Sequence, residues 1–417
     1  MAKNAAMALD LALKINEDLI NRQTQLRSRQ RTKGSGYPIL WRGALISPRK
    51  GKVVKLFIVA GEPSGDMHAT ELVHALKAKS PDIDVYSAGG PELAACSTQV
   101  TDLSSLAVTG FFEVISYLPT IIRKFNHIVA EVEKIDPDVV VFTDYPDFNF
   151  RLAKRLAKPG RKLVYFISPQ LWAWRKGRLK LVKKLIDKML VIFPFEEAFY
   201  KENGVEAAFV GNPLVNTIPA MKEMSKESGA PRRILLLPGS RSKEVKSNLP
   251  TMCDAKLRME GRIDADFSVL KHPSLDPALF ECATAAGIRV FEGNPHKEFQ
   301  STDLAIACSG TVTFELALSG VPTVVLYRMS PVTYHIAKAL VRVDAISIPN
   351  LILKHHVFPE LIQDAASPEG IAEEVLSILN NPKRLAEIRE ELGRFRTLVK
   401  AFDADYAARE VFSLVEK

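Results

Sequence analysis

The stretch Val53-Val54-Lys55-Leu56-Phe57-Ile58-Val59-Ala60 runs directly into the turn Gly61-Glu62-Pro63-Ser64-Gly65-Asp66. The eight residues before the turn are apolar except for one lysine and do not alternate with polar residues. This pattern predicts a strand that is covered on both faces. A helical pattern of apolar residues follows the turn. A buried strand, a turn and a helix together form the repeating unit of a parallel, doubly wound sheet.

The same unit recurs in two series along the chain. The first series continues with three apolar runs, Asp138 to Thr143, Lys162 to Ile167 and Lys188 to Ile192. The second series has five apolar runs, Arg233 to Leu237, Phe267 to Leu270, Ile288 to Phe291, Leu304 to Ala307 and Thr323 to Leu326. Two such series predict an α/β protein with two Rossmann-like, doubly wound domains that face a cleft, where a small-molecule site is expected.

Composition sets the expected domain boundaries. Polar residues 216–232 separate the two series and predict a linker. The N-terminal domain is therefore expected at 53–215 and the C-terminal domain at 233–366, with C-terminal helices over 367–417. Residues 1–52 form a basic extension, flexible or partly helical, whose role the sequence leaves open.

The net charge of +8 is concentrated at the start of the chain. The whole chain has 56 Lys and Arg against 48 Asp and Glu, whereas residues 1–52 alone hold eleven basic and three acidic residues. The remaining 365 residues are therefore neutral overall. A neutral body has no general attraction for a polyanion, so no nucleic-acid partner is expected.

The cysteines and histidines indicate neither a disulfide framework nor a metal site. Cys96, Cys253, Cys282 and Cys308 lack the close spacing of zinc ribbons and redox motifs, and the eight histidines show no metal-ligand spacing. A reduced, cytoplasmic setting without a bound metal or other cofactor is expected. No run of about 18 uncharged apolar residues is present that would predict a spanning helix.

One apolar segment and one pair of tryptophans are candidates for lipid contact. Leu106 to Ile122 carries one charge in seventeen residues and is interrupted by glycine and proline. It is expected to dip into a bilayer, to receive an acyl chain or to lie in the core, and the sequence does not choose among these. Trp172 and Trp174 lie just before a basic helical stretch and form either a sugar or acyl platform or part of the core.

Two carboxylates are candidates for acid–base chemistry. Glu62 lies in the first turn, and Asp144 follows the strand Val139 to Phe142, so both are expected at the carboxyl edge of the sheet. The alternative is that the polar residues of these turns, Ser64, Asp66 and Asp147, only cap the following helices. Asp144 lies before the helix, so helix capping explains it less well than it explains Asp147, and Asp144 is the stronger candidate for a functional role.

Two turns of the second series have the composition of a phosphate site. Pro238-Gly239-Ser240-Arg241 combines a close backbone approach, a hydroxyl and a guanidinium group. Ser309-Gly310-Thr311 begins a helix and forms an anion seat, while Glu315 is placed to accept hydrogen bonds from two ribose hydroxyls. The alternative is a capped turn with an exposed arginine in the first case and tight packing in the second.

Taken together, these motifs resemble the lipid-A-disaccharide synthase family, the bacterial glycosyltransferases that join two acylated glucosamines. The matching stretches run in order over residues 53 to about 380: Ala60 to Asp66, Gly110 to Val114, Asp144 to Asn149, Ser168 to Trp174, Pro194-Phe195-Glu196, Pro238 to Arg241, Ser309-Gly310-Thr311 with Glu315, Tyr327-Arg328-Met329 and Pro349-Asn350-Leu351. Gly211-Asn212-Pro213 resembles one variant of a family site that has Gly-His in other members.

The resemblance implies a GT-B fold and a metal-free, inverting reaction. UDP-2,3-diacylglucosamine and 2,3-diacylglucosamine 1-phosphate (lipid X) would give the β(1→6) disaccharide 1-phosphate and UDP. It implies a peripheral position at the cytoplasmic face of the inner membrane, and it leaves open a homodimer and the acyl chain length. The site residues it implies are Asp144 as the base with Glu62 as the alternative; Ser240, Arg241, Gly310, Thr311, Glu315 and Asn350 for the UDP-sugar; and Val108, Phe111, Phe112, Leu118, Ile121, Trp172 and Trp174 for the acceptor, acyl chains or membrane.

Two other functions compete with this one. A UDP-N-acetylglucosamine 2-epimerase, or a glycosyltransferase for soluble sugars, would share the nucleotide domain but have no use for an apolar surface at Leu106 to Ile122. A non-catalytic nucleotide-sugar or lipid-binding protein would not need both carboxylates and Arg241.

Overall fold

The computed structural model describes residues 53–104, 111–171, 176–219, 230–328 and 345–415, with the backbone alone at 111–118 and 176–177. The described chain forms two compact units. The first unit comprises residues 53–192, 196–210 and 403–415, and the second comprises Phe193–Phe195 and Gly211–Phe402. No helix in these described ranges is long and apolar enough to cross a membrane.

The first unit is built on a sheet of seven parallel strands. They are β1 (Lys55–Ala60), β2 (Asp84–Gly89), β3 (Thr98–Asp102), β4 (Val139–Thr143), β5 (Lys162–Phe166), β6 (Lys188–Val191) and β7 (Ala207–Phe209). Their order is β3-β2-β1-β4-β5-β6-β7, with every pair parallel. The sheet therefore grows outward in both directions from the central pair β1 and β4.

Helices cover this sheet and explain why its central strands are apolar throughout. Leu56 to Val59 of β1 and all of β4 are fully buried. Strands that are covered on both faces need no polar side chain on either face. The covering helices are α1 (Pro63–Lys79), α2 (Pro91–Cys96), α3 (Phe111–Ile135), α4 (Pro146–Leu156), α5 (Lys176–Leu185) and α6 (Pro194–Glu202).

The second unit repeats the design with six parallel strands. After the short helix α7 (Leu214–Thr217) come β8 (Arg232–Leu237), β9 (Ala265–Leu270), β10 (Arg289–Phe291), β11 (Leu304–Cys308), β12 (Thr323–Tyr327) and β13 (Glu360–Ile362). Their order is β10-β9-β8-β11-β12-β13. The helices are α8 (Ser242–Met259), α9 (Glu281–Ala285), α10 (Pro295–Phe299), α11 (Thr311–Leu318), α12 (Ile348–Leu353), α13 (Pro368–Leu379) and α14 (Pro382–Val399).

The C-terminal helices expected over residues 367–417 divide between the two units. The division falls after Phe402, and the last helix, α15 (Ala404–Phe412), lies in the first unit. There Asp405 forms an ion pair with Lys79 of α1 at 2.9 Å. The expected linker at 216–232 lies largely outside the described residues, which omit 220–229, and the second unit begins at Gly211.

Each sheet has a topological switch point, where neighbouring strands send their connections to opposite sides. It lies between β1 and β4 in the first unit and between β8 and β11 in the second. In doubly wound sheets, ligands bind outside the carboxyl ends of the strands at such points. The turns that follow these four strands carry Glu62, Asp144, Arg241 and Gly310, all of which are site residues predicted from the sequence.

Candidate active site

Asp144 is held in an unfavourable backbone conformation at the end of β4. Asp144 and Tyr145 have φ angles of 45° and 46°, in the left-handed region that costs most residues on the order of 1–3 kcal/mol each. The surrounding structure compensates for this cost by binding the Asp144 peptide groups. Its N–H donates to the Phe166 carbonyl at 3.0 Å, and its carbonyl accepts from the Tyr165 hydroxyl at 2.6 Å and from Asn149 Nδ2 at 2.7 Å.

The electrostatic environment of Asp144 suits a general base. The pKa of its carboxyl is raised to about 6, first by burial and second by the negative charge of Glu62, against a lowering by a hydrogen bond from the Tyr145 backbone. Glu62 itself is exposed. The structure thus brings the two predicted carboxylates into electrostatic contact. A base with a pKa near 6 is mostly ionised at neutral pH and retains affinity for a proton.

The turn after β1 packs directly on the turn after β4. A Cβ atom added to Gly61 would overlap the ring of Tyr145, so the glycine is needed for this close approach. The Tyr145 ring also packs on Phe148, with the ring centroids 5.4 Å apart. These contacts hold Glu62 and Asp144 in neighbouring, mutually supported turns.

Asp66 and Asp147, which were candidates for capping the helices after these turns, bind other parts of the first unit. Glu62 and Tyr145 are the N-cap residues of α1 and α4, and neither makes a side-chain capping bond. Asp66 is buried and accepts hydrogen bonds from the N–H groups of Gly90 at 2.7 Å and Glu92 at 2.9 Å, which fixes the start of α2. Asp147 forms an ion pair with Arg178 of α5.

In the second unit, the turn after β8 presents Ser240 and Arg241 at the start of α8. Both residues are exposed, and 68% of the Arg241 side chain is accessible. Glu244, one turn into the helix, accepts from the Ser240 N–H at 3.2 Å and from Arg241 Nη1 at 2.9 Å. Below the turn, buried Asn248 donates to the Pro238 carbonyl at 3.0 Å.

The turn after β11 places Gly310 and Thr311 at the exposed N-terminus of α11. Glu315 follows one turn later and is mostly buried, with 20% of its side chain accessible. His296 of α10 lies beside it, with Nε2 3.0 Å from Glu315 Oε2. One carboxylate oxygen of Glu315 therefore has a protein partner, which fixes the direction of the other.

Asn350 lies inside the second unit, and its amide bonds within the protein. Its Nδ2 donates to the Phe358 carbonyl and to Glu360, each at 2.8 Å, and its Oδ1 accepts from the Phe358 N–H at 2.9 Å. The side chain is 1% exposed. A direct contact with UDP therefore stays a prediction, whereas the structure shows Asn350 fixing the segment around α12.

The expected lipid surface needs one correction. Ile121 is 5% exposed and belongs to the apolar core of the first unit with Phe125 and Ile128, so it is not a surface residue. It faces inward because α3 packs this side against the sheet. The backbones of Phe111, Phe112 and Leu118 lie in α3, but the side chains of these three, and all of Val108, Trp172 and Trp174, are outside the described residues.

A family model for lipid-A-disaccharide synthetase matches residues 56–411. The chain belongs to this family. The lipid-A-disaccharide synthase of Syntrophus aciditrophicus is 38% identical over 375 residues, which cover 87% of this chain and 98% of that protein. The synthase of Koribacter versatilis is 37% identical over 384 residues, covering 88% of this chain and 100% of the relative.

Solved structures with lower identity share the fold. UDP-GlcNAc 2-epimerase from Neisseria meningitidis, bound to UDP-GlcNAc, superimposes with a TM-score of 0.55 at 11% identity, over 87% of this chain and 99% of that chain. The kitacinnamycin glycosyltransferase gives 0.52 at 15% identity, over 87% of this chain and 100% of that chain. The GT-B expectation, with two Rossmann-like domains, is therefore confirmed.

Family membership decides between the competing functions. The chain is a glycosyltransferase of the disaccharide-forming step in lipid A biosynthesis. The UDP-GlcNAc 2-epimerase shares the fold of this chain, but its 11% sequence identity supports no conclusion about function. Lipid A precursors are its substrates.

Proposed function

We propose that the chain transfers a 2,3-diacylglucosamine unit from UDP to the 6-hydroxyl of 2,3-diacylglucosamine 1-phosphate, with inversion at the anomeric carbon. The products are the β(1→6) disaccharide 1-phosphate and UDP. The observation that supports the proposal is the position of Asp144 at the switch point of the first sheet, in a turn packed against the turn of Glu62, where burial raises the pKa of its carboxyl group to about 6. Inverting transfer needs a base for the attacking hydroxyl, and this group has the ionisation such a base requires.

In this mechanism Asp144 accepts the proton of the acceptor hydroxyl as that oxygen attacks the sugar. Hydrogen bonds to the Asp144 carbonyl fix the backbone from which the carboxylate projects, which limits the reorientation needed at the moment of reaction. Glu62 is the alternative base. In the preferred assignment its charge supports Asp144 by raising the pKa of the Asp144 carboxyl.

The second unit binds the UDP half of the donor. The Ser240 N–H, the Arg241 guanidinium and the amides at the start of α11 face the diphosphate, and they stabilise the negative charge that develops as UDP leaves. Glu315 accepts hydrogen bonds from the ribose hydroxyls. His296 acts as a positioning residue, because it holds one oxygen of the Glu315 carboxylate.

We also propose that the protein acts peripherally at the cytoplasmic face of the inner membrane. Both substrates carry acyl chains, and the N-terminal part of α3 is rich in apolar residues. The basic helix α5 exposes Lys180, Lys183 and Lys184, which would attract anionic lipid headgroups.

Product analysis tests the proposal directly. The purified chain is incubated with UDP-2,3-diacylglucosamine and the monophosphate acceptor, and the products are identified by mass spectrometry and by NMR of the anomeric proton. We expect disaccharide 1-phosphate and UDP in equal amounts, with a β linkage. An epimerised or hydrolysed donor with the acceptor unchanged would contradict the proposal.

A further inference from the structure

The carboxylate of Glu244 occupies the turn proposed to bind the diphosphate. Its two oxygens accept from the Ser240 N–H at 3.2 Å and from Arg241 Nη1 at 2.9 Å. A backbone amide and a guanidinium group are the donors that recognise phosphate oxygens. Both donors assigned to the diphosphate in this turn are therefore already bound to an anion of the protein itself.

The same carboxylate lies close to both turns of the proposed UDP site. Gly239 has a φ angle of 126°, and a Cβ atom added to it would lie 2.5 Å from Glu244 Oε2. Glu244 thus fills the side of the turn that glycine leaves open for close approach. The charge of Glu244 also contributes, after burial, to raising the pKa of the Cys308 thiol at the end of β11.

We propose that Glu244 is an internal anion that occupies the diphosphate seat and gives up Arg241 to the nucleotide when UDP binds. This inference rests on the proposed function, which assigns the seat to UDP. Displacing a carboxylate from Arg241 favours ligands with several negative charges, since these gain most from the released guanidinium group. Glu244 therefore sets the selectivity of the seat for a diphosphate over a monophosphate.

The competing explanation is that Glu244 only caps α8. A glutamate at the third helical position that accepts from an N–H before the helix resembles part of a capping box. Glu244→Gln separates the two roles, because the glutamine oxygen still accepts from the Ser240 N–H while the negative charge is removed. Glu260→Gln is the matched control: it removes a charge at the other end of the same helix, where Glu260 pairs with Lys256.

The experiment measures UDP, UMP and uridine binding to the full chain by calorimetry at low ionic strength, with melting temperatures taken alongside. We expect Glu244→Gln to tighten UDP binding roughly two- to fivefold, the range in which exposed ion pairs contribute. The gain is smaller for UMP and absent for uridine, and Glu260→Gln matches the wild type. Unchanged or weaker UDP binding by Glu244→Gln, with an unchanged melting temperature, overturns the proposal.

Failure of the underlying site gives a different result. Arg241→Ala is included because it removes the donor that Glu244 and the diphosphate share, and it is expected to weaken UDP binding at least tenfold. If wild type, Glu244→Gln and Arg241→Ala all bind UDP equally or not at all, the assignment of this turn to UDP is wrong. If Arg241→Ala weakens binding while Glu244→Gln leaves it unchanged, the site stands and the role of Glu244 falls.

Discussion

At the residue scale, the raised pKa of Asp144 makes the pH dependence of turnover a report on this carboxyl group. Its pKa of about 6 lies above the usual value for an aspartate, so the group becomes protonated as the pH falls through 6 and then cannot accept a proton. We expect kcat/KM to fall roughly tenfold per pH unit below this point. Initial rates between pH 5 and 8 check this, and a flat profile would rule out Asp144 as the titrating base.

Substitution of Glu62 extends the same prediction. Glu62→Gln removes a negative charge that raises the pKa of Asp144, so the acid limb of the profile should move to lower pH while turnover at neutral pH is largely kept. Glu92→Gln, an exposed glutamate at the start of α2, is the control and should leave the limb in place. Loss of turnover at every pH in Glu62→Gln would instead identify Glu62 as the base.

The site residues that directly follow strands could be predicted from the sequence, whereas the residues that position them could not. Glu62 and Asp144 could be selected because each comes directly after an apolar run. Tyr165 lies inside such a run, and its hydroxyl reaches the Asp144 carbonyl only because the register pairs Phe142 with Tyr165. The contact of His296 with Glu315 likewise depends on how α10 and α11 pack, which no local pattern encodes.

At the element scale, apolar runs predicted the nine strands they covered to within about two residues at either end. The strands that escaped prediction are less apolar or very short. β2 has the sequence DVYSAG, and β13 covers only Glu360–Ile362. Such strands are specified by pairing with strands already in place, so their own composition carries little signal.

Helix α3 allows a test of the proposed lipid surface. Phe111→Ser combined with Phe112→Ser should release the protein from anionic liposomes with little change in melting temperature, because we propose that these rings contact lipid. Flotation and thermal melting are measured together.

A second variant in the same helix is the control. Ile121 is 5% exposed and lies in the core, so Ile121→Ser should lower the free energy of unfolding by roughly 2–5 kcal/mol. If the double phenylalanine variant loses as much stability as Ile121→Ser, Phe111 and Phe112 are core residues and the lipid surface lies elsewhere.

For the molecule as a whole, we expect the basic extension to be dispensable for catalysis. The family match starts at residue 56, and β1 starts at Lys55. A chain that starts at Val53 should therefore fold and turn over at the wild-type rate in detergent, although it loses a net charge of +8. Loss of activity with an unchanged melting curve would show that residues 1–52 contribute to the site.

The division of the chain into two compact units was only partly predictable from the sequence. Two series of strands indicated two units, but the return of residues 403–415 to the first unit depends on contacts distant in sequence, such as the pair Lys79 and Asp405. Surface ion pairs of this kind leave no periodic pattern in the sequence. The sequence could predict that this segment is helical, but it could not predict that the segment packs in the first unit.

We propose that the first unit supplies the base and that the second unit binds UDP. Steady-state kinetics of Asp144→Asn, with the UDP-sugar varied and the acceptor saturating, tests both parts. Asparagine keeps the shape of the side chain but cannot take up a proton, so kcat should fall roughly 10²–10⁴-fold while KM for the UDP-sugar stays near the wild-type value. A kcat close to that of the wild type would show that Asp144 is not the base.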